Sequence, residues 1–230
     1  MTLNPLVSVI LAVRNGERFL ANAIESIIAT MYPRMEIILI DGHSTDESCS
    51  IAARYPQVQI VTQDGFGISN AYNQGVTLAR GEFVAFNSSD DIWSADKLDK
   101  QVDVLVRNPD VGIATGKSEF FLEPGTAVPD GFRQELLDSP PTAYIMETVL
   151  VRHDVFDHIG PFEPALRTAE DVDWFARVRD AGVKCVAVDA VVVRKRIHGD
   201  NSSLSKSNTG FLLAALRNSV QRKQRVGSHV

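Results

Sequence analysis

The 230-residue chain is 44% hydrophobic, 23% charged and 7% aromatic, with 23 Lys and Arg against 29 Asp and Glu for a net charge of −6. A folded chain of this length buries roughly 70% of its unfolded surface, so one well-cored domain is expected, and the acidic balance argues against a broadly basic nucleic-acid-binding face. Only two cysteines, Cys49 and Cys185, exclude a disulfide framework and a four-thiolate zinc site and fit a reducing cytosol.

The predicted elements begin with a buried strand from Leu6 to Val13, which stops at Arg14-Asn15-Gly16. It has no basic leader and no small-residue cleavage site, so it is not read as a signal peptide, and no segment approaches the ~20 apolar residues of a membrane span. Phe19, Leu20, Ala23, Ile24, Ile27 and Ile28 then recur at helical spacing. Met35 to Ile40 is a second buried strand, and Ser44-Thr-Asp-Glu47 reads as a capping box for a helix continued by Ile51, Ala52 and Tyr55. Val58 to Val61, residues 68–79 and Glu82 to Phe86 follow as strand, helix and strand. Such alternation predicts a mainly parallel sheet with helices on both faces.

The second half is less regular. Ser94 is expected to cap a helix reaching about Arg107, followed by short strands near 111–122 and a Pro/Gly/Asp-rich loop from Glu123 to Gly131. A helix near 170–181 and a strand-like Val186 to Ile197 with one break complete it. After Asp200 there is no acid, while Lys206, Arg217, Arg222, Lys223 and Arg225 surround the apolar run Phe211 to Leu216. This tail reads as an amphipathic helix that docks either on an anionic membrane or on the chain's own acidic body.

Ligands of an open α/β sheet sit outside the carboxyl ends of its parallel strands. Four polar clusters fall at such ends: Arg14-Asn15, Asp41, Gln63-Asp64 and Asn87-Ser-Ser-Asp90-Asp91. Singly each is an ordinary turn or cap, and together they predict a ligand site. Adjacent Asp90 and Asp91 repel unless a cation or hydrogen-bond donors offset them, and hard oxygen ligands favour Mg²⁺ or Mn²⁺ shared with phosphate oxygens. Asp91 is equally placed to cap the helix that follows. Gly65-Phe-Gly67 is not a dinucleotide fingerprint, because it follows the third strand and lacks a third glycine. No Gly-x-Ser-x-Gly nucleophile elbow occurs, and His43, His153 and His158 lack metal-ligand spacing. Glu170, Asp171 and Asp173 crowd the start of a predicted helix, where the macrodipole favours acids. Arg194-Lys-Arg196-Ile-His198 ends a strand with cations suited to a diphosphate or to a solvated edge.

In order, Val7 to Asn15, Ile37 to Asp46, Ala71 to Gly75, Asn87 to Trp93, Ala169 to Trp174 and Arg196 to His198 resemble the blocks of a GT-A glycosyltransferase of family 2, over roughly Leu6 to Ser203. The resemblance implies an α/β fold of GT-A type, one compact domain on a Rossmann-like, mainly parallel sheet flanked by helices. Residues 1–93 would form a nucleotide-sugar half, 94–203 an acceptor and catalytic-base half, and 204–230 the basic tail. The implied reaction is a single displacement with inversion from a nucleoside diphosphate sugar, most commonly a UDP-sugar, assisted by Mn²⁺ or Mg²⁺. The acceptor hydroxyl would belong to a carbohydrate, a lipid-linked sugar or a peptide, in cytoplasmic polysaccharide biosynthesis that includes the inner membrane face.

Carried over residue by residue, the resemblance puts Ala12, Val13, Asn15 and Asp41 beside the nucleotide, with Gly67, Asn73 and Ser89 as further contacts. Asp90 matches the last acid of the Asp-x-Asp motif that holds the metal on the diphosphate, with Asp91 and His198 assisting. Asp171 matches the general base with Glu170 next to it, and Asp173 and Trp174 fall on the acceptor side. Two departures stand out: Ser88 replaces the first acid of that motif, and Gly42 stands where a second acid is common. The rival readings are a metal-dependent nucleotidyltransferase, whose phosphate loop Arg14-Asn15-Gly16 replaces poorly, and a catalytically silent nucleotide-sugar-binding module.

Overall fold

The computed structural model describes residues 4–129, 132–166, 169–199, 201, 210, 213–215, 217 and 222. Strand β1 (Val7–Val13) is central to the first half because its residues are buried on both faces. β2 (Met35–Asp41) and β4 (Phe83–Ser88) pair with it in parallel on either side, and β3 (Val58–Thr62) adds to β2 in parallel. Pleating sends alternate residues to opposite layers. Val7, Val9, Leu11 and Val13 join Leu20, Ile24 and Ile27 of α1 (Leu20–Ile28) together with Leu98, Val102 and Leu105 of α4 (Lys97–Arg107). Ile10 points the other way, toward Ala71 and Tyr72 of α3 (Ile68–Leu78) and toward Trp174 and Val178 of α7 (Glu170–Asp180). Helix α3 lies so close to β1 that a Cβ on Gly75 would sit 2.5 Å from the Ile10 side chain, so only glycine lets the two pack.

The sheet as a whole is mixed, and the expectation of a mainly parallel one holds only for the first half. Its order is β3-β2-β1-β4-β8-β6-β9-β5, with β7 (Thr142–Ala143) on β6. β8 (Leu150–Arg152) inserts antiparallel between β4 and β6 (Val111–Leu122), and β5 (Ile92–Trp93) pairs antiparallel with β9 (Lys184–Ile197). β6 and β9 run parallel to each other. The short strands expected near 111–122 form the single 12-residue β6. The break expected in β9 is a bulge: Ala187 faces Thr115, whereas Lys117, two residues along β6, faces Val191, four residues along β9. One sheet therefore runs through both halves of the chain.

Two expected helix starts shift. α2 (Ser48–Ala52) begins after the supposed capping box, because Ser44 and Glu47 are engaged across the chain. The Ser44 hydroxyl accepts from the Asn15 N–H at 2.9 Å, and the Glu47 N–H donates to the Glu17 carboxylate at 2.9 Å. Helix α4 opens at Lys97, whose N–H donates to the Ser94 carbonyl at 3.0 Å, with no side-chain cap. In the tail the described residues are helical, Ala215 is buried, and Arg222 donates to the Asp173 carboxylate at 2.8 Å. The described tail thus packs against α7, Arg217 is exposed, and Lys206, Lys223 and Arg225 lie outside the described residues. Among the described residues no helix is long and apolar enough to cross a membrane.

Candidate active site

The carboxyl ends of β1, β2 and β4 meet in register, with Val13 opposite Asp41 and Ala12 opposite Ser88. Ala12 is part-exposed there, whereas the Val13 side chain is buried and its carbonyl accepts from the Gly42 N–H at 2.7 Å. Asp41 ends β2 nearly buried, its carboxylate accepting the Ser44 N–H at 3.2 Å in a local turn. Asn15, at φ 52°, holds that same turn through its side-chain oxygen, which accepts the Thr45 N–H at 2.8 Å. Both residues therefore shape the rim as turn residues, the reading their types first suggest. Gly67, at φ +91° with open space around it, accepts from the Gln63 amide at 2.7 Å. Ser89 approaches Gly16 so closely that a Cβ there would fall 2.8 Å from its side chain.

Asn73 has a different task from the expected nucleotide contact. Its amide donates to the Phe162 carbonyl at 2.9 Å and accepts the Phe162 N–H at 2.8 Å, tying α3 to the loop before α7. Both ends of the amide are thereby engaged in a structural tie.

Beyond β4 the two adjacent acids separate in role. Asp90 is part-exposed, and its Oδ2 lies 3.0 Å from Nε2 of His198 and 3.2 Å from the donating Asn201 amide. The His198 ring leans on Phe19, with centroids 4.9 Å apart. Asp91, only 1% exposed, contacts Lys195 Nζ at 2.5 Å and accepts the Arg196 N–H at 3.1 Å. It pins β9 beneath the site and is not placed as a metal ligand, which corrects the expected assisting role. Arg196 extends the clamp: its guanidinium donates to the Asp90 carbonyl, pairs with Glu123, and lies over the Phe19 ring at 4.4 Å.

Sequence reasoning missed Glu147, on a 3₁₀ turn (Met146–Thr148), and its partner Lys195, read as a diphosphate or edge cation, is instead a largely buried ion-pair partner. The Ser88 hydroxyl donates to Glu147 at 2.5 Å, and Lys195 lies 3.3 Å from the same oxygen. Burial favours loss of the Lys195 proton, but Asp91 and Glu147 outweigh it and push the ammonium well above lysine's usual range. Glu147 is likewise penalised by burial and yet held below the usual carboxylate range by Lys195 and Ser88. An i,i+4 or strand-alternation search could not find this pair, because its partners come from three distant elements. Lys97, fully buried and donating to Gln101 at 2.9 Å, was also missed; burial pushes it down to about 7.

At the start of α7, Ala169 adopts a left-handed φ of 68° before Glu170 and Asp171. Burial, then the Asp171 charge, pushes Glu170 up to about 8. Burial, then the Glu147 charge, pushes Asp171 up to about 6. Asp173 and Trp174 do not serve as the expected acceptor contacts. Asp173 is buried between Arg177 at 2.9 Å and Arg222, and Trp174 is fully buried against Phe156 and Phe162, with centroids 5.1 and 5.6 Å away. Trp174→Ala is accordingly expected to cost about 3–5 kcal/mol of stability, read as a lowered thermal midpoint. A cavity of about 660 Å³ lies along α7 by Tyr144, Val172, Phe175 and Cys185.

Among the described residues no three His, Cys, Asp or Glu side chains gather as a self-sufficient metal site. The pair that fits a hard cation is Asp90 with His198, one carboxylate and one imidazole, leaving positions for phosphate oxygens and water. The site therefore joins a cation-compatible acid and imidazole to a second acidic cluster in which Asp171 is poised near neutrality.

The model of Glycosyl transferase family 2 matches residues 8–169. This chain belongs to that family. An uncharacterized glycosyltransferase of Rickettsia typhi is 29% identical over 215 residues, covering 86% of this chain and 65% of its own. A putative teichuronic acid biosynthesis glycosyltransferase of Bacillus subtilis, TuaG, is 31% identical over 119 residues, covering 50% of this chain and 47% of its own. The chain thus spans less than two thirds of the length of these relatives. Among solved structures, S. aureus TarS 1–349 in complex with UDP-GlcNAc superposes with a TM-score of 0.72 at 16% identity, over 91% of this chain and 65% of that one. The mannosyltransferase PcManGT of Pyrobaculum calidifontis, in complex with GDP-Man and Mn²⁺, gives 0.67 at 19% identity, over 87% and 59%. These likenesses establish the GT-A type α/β fold.

Proposed function

We propose that this family 2 chain transfers a sugar from a nucleoside diphosphate sugar, in first place a UDP-sugar, to an acceptor hydroxyl with inversion. Two acid sites support the reading: Asp90 with His198 beyond β4, and Asp171 at the head of α7 with its carboxyl pushed up to about 6. Asp90 and His198 would hold Mn²⁺ or Mg²⁺, which when bound supplies positive charge to the diphosphate leaving group. The rim of Ala12, Asn15, Asp41, Gly67 and Ser89 would border the nucleotide.

Two neighbouring carboxyl groups whose environments push them apart support Asp171 as the base. At pH 7 Glu170, up at about 8, keeps its proton, while Asp171, at about 6, is mostly ionised. Asp171 therefore takes the proton of the acceptor hydroxyl as the acceptor oxygen bonds to the anomeric carbon. The bond from that carbon to the diphosphate oxygen breaks on the opposite face, leaving the nucleoside diphosphate and an inverted glycoside. Glu170, protonated, can donate a hydrogen bond to the acceptor. The acceptor is a carbohydrate, a lipid-linked sugar or a peptide, bound toward residues 94–203.

Calorimetry with UDP and with GDP, each in Mn²⁺ and in EDTA, tests the donor side. One diphosphate should bind with Mn²⁺ and bind at least tenfold more weakly in EDTA, about 1.4 kcal/mol. Equal affinity in both conditions would remove the metal from the reading.

A further inference from the structure

Ser88 breaks the acidic motif at the end of β4, yet the structure puts a carboxylate directly on its hydroxyl. The Ser88 O–H donates to Glu147 at 2.5 Å, and Glu147 arrives from 59 residues further along the chain. Its fixing is two-sided, because Lys195 Nζ lies 3.3 Å from the same Glu147 oxygen and 2.5 Å from Asp91. A hydroxyl that gives its proton to a carboxylate presents its lone pairs elsewhere and carries more negative charge on its oxygen. Ser88 is part-exposed beside Ala12, at the carboxyl edge of the sheet. Its oxygen is thus an acceptor backed by the Glu147 carboxylate, whose charge Lys195 offsets only in part because it also serves Asp91.

We infer that Ser88 and Glu147 act together as one acidic unit, with Glu147 as the positioning residue that supplies from the second half of the chain the charge that position 88 lacks. The unit stands at the carboxyl edge of the sheet and would accept from hydroxyl or metal-bound groups of a nucleoside diphosphate. The inference rests on the nucleotide-sugar reading above. Several charged and titratable groups surround Glu147: Lys195 in contact, Lys97 behind it, and Asp91, Glu170, Asp171 and Tyr72, which all sense its charge. Lys195 is accordingly shared between two carboxylates, and neutralising Glu147 alone leaves it to Asp91.

A charge-transposition cycle on the full chain separates this role from simple packing. Mn²⁺-linked UDP binding is measured by calorimetry, and thermal midpoints are recorded alongside, for the parent, Glu147→Gln, Ser88→Asp and Ser88→Asp/Glu147→Gln. Glu147→Gln should weaken binding about tenfold, and Ser88→Asp alone should lower the thermal midpoint by setting two carboxylates against each other. The double variant, with the acid moved to position 88 and an amide opposite, should bind within about threefold of the parent. Parental binding in Glu147→Gln, or a double variant no better than that single one, would overturn the inference. Should Glu147→Gln melt below the assay temperature, the double variant carries the test. A double variant that folds and binds supports the transposition; one that does not fold, or folds without Mn²⁺-linked binding, overturns it. A parent chain that binds no UDP or GDP in Mn²⁺ instead strikes the donor reading itself.

Discussion

Asp171→Asn is expected to leave nucleotide binding intact while lowering turnover by ~10²–10⁴, the usual contribution of a positioned base. The substitution keeps the side-chain shape and removes only its proton affinity. Asp171 sits in a partly desolvated acidic cluster, and its carboxylate accepts the neighbouring Val172 N–H at 2.7 Å. In the parent, turnover should fall as pH drops through about 6, because the base must be ionised and protonation removes it. The Asp171→Asn variant should lose that acid limb. Asp173→Asn provides the contrast: Asp173 is buried between Arg177 and Arg222, so its loss should lower the thermal midpoint and spare the pH profile. Near-parental turnover in Asp171→Asn would move the base to another residue.

Asp90→Ala should abolish the gain in diphosphate affinity that Mn²⁺ gives, a loss on the order of 10²–10³-fold. It removes the acid that His198 and Asn201 both address. Asp91→Asn, one residue on, should act differently. It takes from the largely buried Lys195 its 2.5 Å partner and leaves it to Glu147 at 3.3 Å, so the thermal midpoint should fall, with metal dependence retained in whatever remains folded. Calorimetry and thermal melts on the two variants check both halves of this contrast. Reversed phenotypes would mean that Asp91 is the metal-facing acid.

The first half was legible because its signals are local. Short apolar runs such as Val9–Val13 and Phe83–Phe86, too short for helices, read as strands buried on both faces, and polar residues stop them at the sheet's carboxyl edge. That pattern alone located Asp41 and Asp90. What failed to show locally was whatever the tertiary structure decides. β8 is three residues long and lies between β4 and β6, so its antiparallel insertion leaves no periodic trace. Asp91 and Lys195 are 104 residues apart, and a buried ion pair has no spacing rule. Ser44 and Glu47 have capping-box spacing, but Asn15 and Glu17 claim them first. Asp173 and Trp174 do carry a local signal. Arg177 follows Asp173 by one helical turn, and Val178 follows Trp174 likewise, which marks an ion pair and a core stripe.

Proton NMR of the purified chain with UDP-GlcNAc, UDP-glucose and GDP-mannose in Mn²⁺ tests the proposed chemistry most directly, with water standing in for the unidentified acceptor. The anomeric signal of one donor should decay, the corresponding nucleoside diphosphate should appear, and the sugar first released should carry the inverted anomeric configuration. Asp171→Asn and EDTA should each suppress the decay. Release of a nucleoside monophosphate or of pyrophosphate, or a first product with retained configuration, would contradict it.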